Sequence, residues 1–166
     1  MAGLSRAAAL IILTTTLFAT VVEAQYEPGR KFLGPRIGLS GVGGAPAFGA
    51  QFEVAREDRI GIGALVDYWS YNSGAGFGSV GVSYLALGAT GSYHFEVEDT
   101  RWDPFVGLAL GYFVVSWDDQ FAGAAASRLF LGGQGGVRYF FKETTAFVAR
   151  AGFGASYISV GIDFGF

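Results

Sequence analysis

Apolar residues occupy every second position of the last ten residues, which read YISVGIDFGF. One face of this segment carries Ile158, Val160, Ile162, Phe164 and Phe166. The other face carries glycine, serine, aspartate and one tyrosine. Because successive side chains of a strand point to opposite faces, this alternation predicts a β-strand with one apolar face. Several upstream segments share the pattern, with glycine opposite the apolar residues, so the chain is predicted to be all-β.

The composition favours a membrane barrel over a helical membrane protein. Hydrophobic residues make up 51% of the 166 residues, yet no segment after the N-terminus approaches the ~18 consecutive apolar residues of a membrane helix. A barrel produces this combination because its apolar residues are spread over alternate positions. The net charge of −3 gives no reason to expect nucleic-acid binding, and the absence of cysteine excludes a disulfide framework.

The N-terminus is typical of a secretory signal peptide. Arg6 supplies a positive charge, the stretch 7–22 is apolar apart from threonines, and small residues precede Gln25. We predict a signal peptide over residues 1–24, cleaved after Ala24, with a retained membrane anchor as the alternative. The remaining residues 25–166 form one predicted barrel domain, which is long enough for eight membrane strands of roughly 9–11 residues each.

The alternating strands and the terminal aromatic residue resemble the small outer-membrane β-barrel proteins of Gram-negative bacteria, as in OmpA and OmpX. The resemblance implies an eight-stranded antiparallel transmembrane up-and-down β-barrel in the outer membrane, present as a monomer and surrounded by lipid and lipopolysaccharide. It also implies that Ile162, Phe164 and Phe166 form the signal read by the barrel-assembly machinery, with periplasmic chaperones as further partners. It covers the barrel alone, because no peptidoglycan-binding domain is predicted after the last strand.

Eight strands can be placed by this alternation. They span about 32–42, 47–56, 59–71, 80–95, 102–117, 127–141, 145–154 and 157–166. Charged turns and Gly- or Ala-rich loops alternate between them, as expected for short periplasmic turns and external loops. The alternative is a soluble barrel around an apolar ligand, but its outside would be covered with charge. Here the non-apolar face consists mainly of glycine, alanine and serine, which suits a crowded lumen better.

Five charged residues fall on the inward face at a similar predicted depth: Arg36, Glu53, Arg138, Arg150 and Asp163. The strand order predicts Arg36 between Glu53 and Asp163, and Arg150 between Arg138 and Asp163. Isolated charges there would be costly, whereas a paired network satisfies its members. We predict that this network plugs the lumen. The alternative is a gate in a narrow channel for ions or small solutes.

His94 is the only histidine, and it shares a face with Ser92 and Glu96. Lipid A deacylases and palmitoyl transferases of the outer membrane resemble the chain in architecture and use such residues. However, the spacing spreads the three over ~13 Å of one strand, and His94 falls at the periplasmic end. A lipid A-modifying enzyme is therefore kept as a second alternative, and the chain is predicted to have no catalytic residues.

No cofactor or metal is predicted either. Gly76, Gly78 and Gly81 match a dinucleotide-binding spacing, but no amphipathic helix follows them. With one histidine and no cysteine, the chain has no His or Cys spacing of a zinc site. Phe77 and Phe121 lie in the predicted external loops and are the candidate contacts for an outside partner, although these loops are short for an adhesin. The predicted function is a structural, envelope-integrity or surface-interaction role.

Overall fold

The computed structural model describes residues 26–74, 79–117 and 126–166. They form eight strands: β1 (Lys31–Ser40), β2 (Pro46–Glu57), β3 (Ile60–Gly74), β4 (Ser79–His94), β5 (Trp102–Trp117), β6 (Ala126–Lys142), β7 (Thr145–Phe153) and β8 (Ser156–Gly165). Each predicted strand is present, with ends shifted by a few residues. The described part of the chain has no helix that is long and apolar enough to cross a membrane.

Every strand pairs antiparallel with the next, and β1 pairs with β8, so the sheet closes into a barrel. The main chains of Lys31 and Phe166 complete the seam with two hydrogen bonds of 3.0 and 2.9 Å. Closure leaves no strand edge, so the strand backbones find their partners within the sheet. The predicted eight-stranded antiparallel barrel is confirmed.

The outer surface of the barrel is apolar, because the exposed strand positions are those of the alternating hydrophobic residues. Its most exposed members include Ile37, Phe48, Leu108, Leu110, Leu131, Phe153 and Ile158. A soluble barrel needs the opposite arrangement, with apolar residues inside and charges outside. The outer face therefore matches hydrocarbon rather than water.

Aromatic pairs surround the end of the barrel that carries the charged turns. Trp102 lies 4.7 Å from Tyr139, Phe141 lies 4.5 Å from Phe147, and Tyr93 packs against its neighbour Phe95 (ring centroids). Such a girdle is typical of the level where a membrane barrel meets the lipid headgroups. These aromatic residues lie on, or directly beside, strands β4 to β7.

The core of the protein lies in the lumen. In the half opposite the charged turns, rings of Trp69, Tyr84, Phe113 and Phe130 pack together, and we call these four the aromatic cluster. Trp69 stacks on Tyr84 at 5.1 Å, and Phe113 stacks on Phe130 at 4.5 Å (ring centroids). Alternation alone did not reveal this cluster, because the external halves of these strands are apolar on both faces. The opposite half of the lumen holds charged residues.

Candidate functional site

Each of the eight strands contributes one buried charged or titratable side chain to the same region of the lumen. In strand order they are Arg36, Glu53, Asp67, His94, Asp103, Arg138, Arg150 and Asp163. We call these eight residues the charge network. Each is at most 5% exposed. The alternation of the strands places them inward, since their neighbours along the chain face the lipid.

Arg138 is the centre of the network. Its Nε donates to Asp163 at 2.7 Å, its Nη1 to Asp103 at 2.8 Å and its Nη2 to Glu53 at 3.0 Å. The guanidinium carbon also lies 4.4 Å from the centroid of the Phe32 ring. One cation thus joins carboxylates from three strands, because the planar guanidinium group directs its N–H donors to three sides.

Arg36 binds Asp67 rather than the predicted Glu53 and Asp163. Its Nε donates to Asp67 Oδ1 at 2.8 Å, its Nη2 bonds the other carboxylate oxygen, and its Nη1 donates to Gln51 at 2.9 Å. The prediction was wrong because it assigned equal depth to residues that lie equally many positions from their strand ends, whereas adjacent strands are staggered. In the hydrogen-bonded register, Arg36 is opposite Gly49, and Gly49 is opposite Asp67, so no side chain separates the pair.

Arg150 binds Asp163, as predicted, with Nη2 3.1 Å from Oδ2. The predicted order of the group is different, because Asp163 lies between Arg138 and Arg150 and accepts from both. Asp67, Asp103 and His94 were missing from the predicted network. Their positions opposite the apolar face of β3, β4 and β5 were a signal that could have identified them.

His94 contacts three polar side chains. Its Nδ1 is 2.6 Å from Asp103 Oδ1, and its Nε2 is 3.1 Å from Ser92 Oγ and 3.4 Å from Glu53 Oε1. Ser92 and His94, which share the inward face, are thus in contact, because side chains two residues apart on a strand can lean together. Glu96, however, pairs with Arg59 in the exposed turns and does not reach His94.

The hydrogen bonds define the protonation state of His94. Ser92 Oγ donates to Glu53 Oε2 at 2.6 Å, so it must accept from His94 Nε2. Asp103 is a carboxylate and only accepts, so Nδ1 also carries a proton. We therefore expect an imidazolium, which cannot take a proton from Ser92 as the base of a catalytic triad does. The network then contains four positive and four negative groups.

Tyr26 closes the network on the side of the charged turns. Its ring stacks on His94 with a centroid distance of 3.6 Å and on Phe32 at 6.0 Å. Burial beside Glu53 raises the pKa of the Tyr26 phenol far above its usual range, so the phenol stays neutral. A neutral ring therefore covers His94 where the lumen would otherwise open.

Glycines on the inward face make the room that the network needs. A Cβ atom at Gly34 would lie 1.9 Å from Asp163 Oδ1, and one at Gly61 would lie 2.5 Å from Ser92 Oγ. Neither distance is possible between real atoms. At Gly34 and Gly61, the missing side chain thus leaves the space that a polar side chain of the neighbouring strand occupies.

The positions of the other predicted site residues say less about their predicted roles. Phe164 and Phe166 face outward and are exposed, and Ile162 is partly exposed on the same face, so their role in assembly stays a prediction. Phe77, Phe121 and the predicted signal peptide lie outside the described residues. Among the described residues, no cluster of three or more His, Asp or Glu side chains could hold a metal ion.

No protein-family model matches the chain, and no curated protein matches it. Solved structures do match. The N-terminal β-barrel domain of Pseudomonas aeruginosa OprF is 13% identical with a TM-score of 0.61, covering 84% of this chain and 98% of that one. The outer membrane protein OprG of Pseudomonas aeruginosa is 12% identical with a TM-score of 0.63, covering 84% and 97%.

A de novo designed transmembrane β-barrel is also similar, with 12% identity, a TM-score of 0.56, and coverage of 84% of this chain and 98% of the design. At these identities the similarity concerns the fold. The chain has the fold of the small eight-stranded outer-membrane β-barrels.

Proposed function

We propose that this protein is a closed, non-enzymatic barrel of a bacterial outer membrane, with a structural, envelope-integrity or surface-interaction role. The observation that supports the proposal is the charge network, to which all eight strands contribute one side chain across the lumen. Its surroundings would be lipid and lipopolysaccharide, and it would exist as a monomer. Assembly would depend on periplasmic chaperones and the barrel-assembly machinery.

The network supports a plug because opening it means breaking buried ion pairs. Arg138 touches three carboxylates and the Phe32 ring, and its side chain is 1% exposed. Removing one partner from a buried pair typically costs about 3–5 kcal/mol. A solute that passed Arg138 would still meet the aromatic cluster. The lumen therefore has two successive barriers of different chemistry.

A narrow ion channel is the second candidate. It is favoured by the balanced ring of four cations and four anions, since charged rings set selectivity in known pores. The third candidate, a lipid A-modifying enzyme, loses support because the His94 imidazolium lacks the free nitrogen that a general base requires. His94 also lies beside the charged turns, where the periplasmic rim is predicted, and not near the external loops.

Conductance across a planar bilayer distinguishes the plug from the channel. The purified, refolded protein is added to the bilayer after its heat-dependent mobility shift has shown that it is folded. We expect no discrete openings from the wild type or from Arg101→Met, which removes an exposed turn cation paired with Asp99 at 2.7 Å. Discrete, ohmic openings of the folded wild type would contradict the plug and establish the channel.

A further inference from the structure

A small cavity lies beside the charge network and is lined mainly by residues of β6, β7 and β8. Its volume is about 20 Å³, and its walls include Arg36, Gln134, Arg150 and Ser159 on the polar side and Leu65 on the apolar side. A volume of this size accepts one guest of about the size of a water molecule.

The walls offer unused hydrogen-bond donors. In the part of the chain that the structure describes, Nε and Nη1 of Arg150 and Nε2 of Gln134 are buried and have no hydrogen-bond partner. All three atoms are N–H donors that cannot accept. Since buried donors without acceptors are costly, the cavity favours a guest that accepts several hydrogen bonds.

Arg150 is also the cation with the weakest compensation in the network. Its one ionic partner is Asp163, at 3.1 Å, and that carboxylate binds Arg138 more closely, at 2.7 Å. Arg36, by contrast, has the two oxygens of Asp67 to itself, together with Gln51. Arg150 itself is 4% exposed. A buried guanidinium with two free N–H groups is a site for negative charge.

We infer that this cavity binds one small monovalent anion of the halide class, held by Arg150 and Gln134. The donor set excludes a metal cation, and a volume of about 20 Å³ matches a single-atom anion. The inference goes beyond the proposed structural role and does not depend on it, because a plugged lumen and a conducting lumen can both hold the ion.

Line broadening in chloride NMR tests the site, because an ion that exchanges with an immobilised site relaxes faster than free chloride. The folded protein in detergent micelles is titrated with sodium chloride at constant ionic strength, with sodium gluconate as the balancing salt. We expect saturable broadening that sodium bromide displaces. Absence of broadening in the wild type would overturn the inference, since the cavity would then hold water alone. Broadening that does not saturate would also overturn it, since weak association with surface charges would then explain the signal.

Two variants locate the ion at the cavity. Gln134→Leu removes one donor to the ion and should weaken chloride binding about 10-fold or more, as expected for a hydrogen bond to a charged group. Gln134→Glu keeps the size, adds a negative charge and should abolish the broadening. Thr90→Val is the matched control, because Thr90 Oγ1 is also buried without a partner but does not line this cavity.

The control should keep the wild-type affinity. Unchanged affinity in a folded Gln134→Glu variant, or an equal loss in Thr90→Val, would place the ion elsewhere and overturn the inference. The mobility shift on heating shows for each variant that the barrel has folded.

Discussion

Arg138→Met tests the central contact of the charge network. The substitution keeps an apolar side chain against the Phe32 ring but removes the cation from Glu53, Asp103 and Asp163. Two of these carboxylates keep His94, and Asp163 keeps Arg150, so the network loses its centre and not all of its pairs. Breaking a buried pair in this way costs about 3–5 kcal/mol. The ratio of folded to unfolded protein should therefore fall between about a hundredfold and several thousandfold.

Reversible urea unfolding in lipid vesicles measures this loss, with tryptophan fluorescence and the heat-dependent mobility shift as independent signals. Arg101→Met is the control, since Arg101 pairs with Asp99 in an exposed turn and should leave the unfolding midpoint unchanged. The pKa of Asp99 is lowered by the Arg101 guanidinium, but both groups are exposed to water and screened. A loss below about 1 kcal/mol in Arg138→Met would refute the claim that the network holds the barrel closed.

Three further substitutions test other parts of the account. Gly34→Ala should lower the folded fraction in the mobility assay because its Cβ would overlap Asp163. Gly91→Ala is the control and should fold as the wild type does, since the added atom meets nothing within 4 Å. Equal folded fractions of the two variants would contradict the packing. Leu110→Arg should lose about 2–4 kcal/mol in vesicles because it places a charge on the lipid face, and wild-type stability would show that this face is not in hydrocarbon. Phe166→Ser should reduce assembly in cells but not refolding in detergent, and a parallel loss in both would show a structural role instead.

The fold was predictable from the sequence because a lipid-facing sheet must alternate. On β8, Ile158 and Val160 face the membrane and Asp163 faces the lumen, and parity alone assigns them. The same rule placed Glu53, Arg138 and Arg150 inside. The same rule applies to Asp67 and Asp103, whose positions along β3 and β5 are opposite the apolar face.

The partners of each charge were not predictable in the same way. Pairing depends on the stagger between strands and on the reach of each side chain. Arg36 therefore binds Asp67, two strands away across Gly49, and does not bind the predicted partners Glu53 and Asp163. The contact between Ser92 and His94 depends on how inward side chains lean in a narrow barrel, which residue spacing does not record.

The protonation state of His94 tests the central claim most directly, namely that the charge network joins four positive and four negative side chains across the lumen. Because the chain has one histidine, selective nitrogen-15 labelling of histidine gives one pair of ring signals that need no further assignment. The account predicts two protonated ring nitrogens at neutral pH in the folded barrel, each coupled to its own hydrogen. A ring with one protonated and one bare nitrogen would leave three positive side chains against four negative ones and contradict the account.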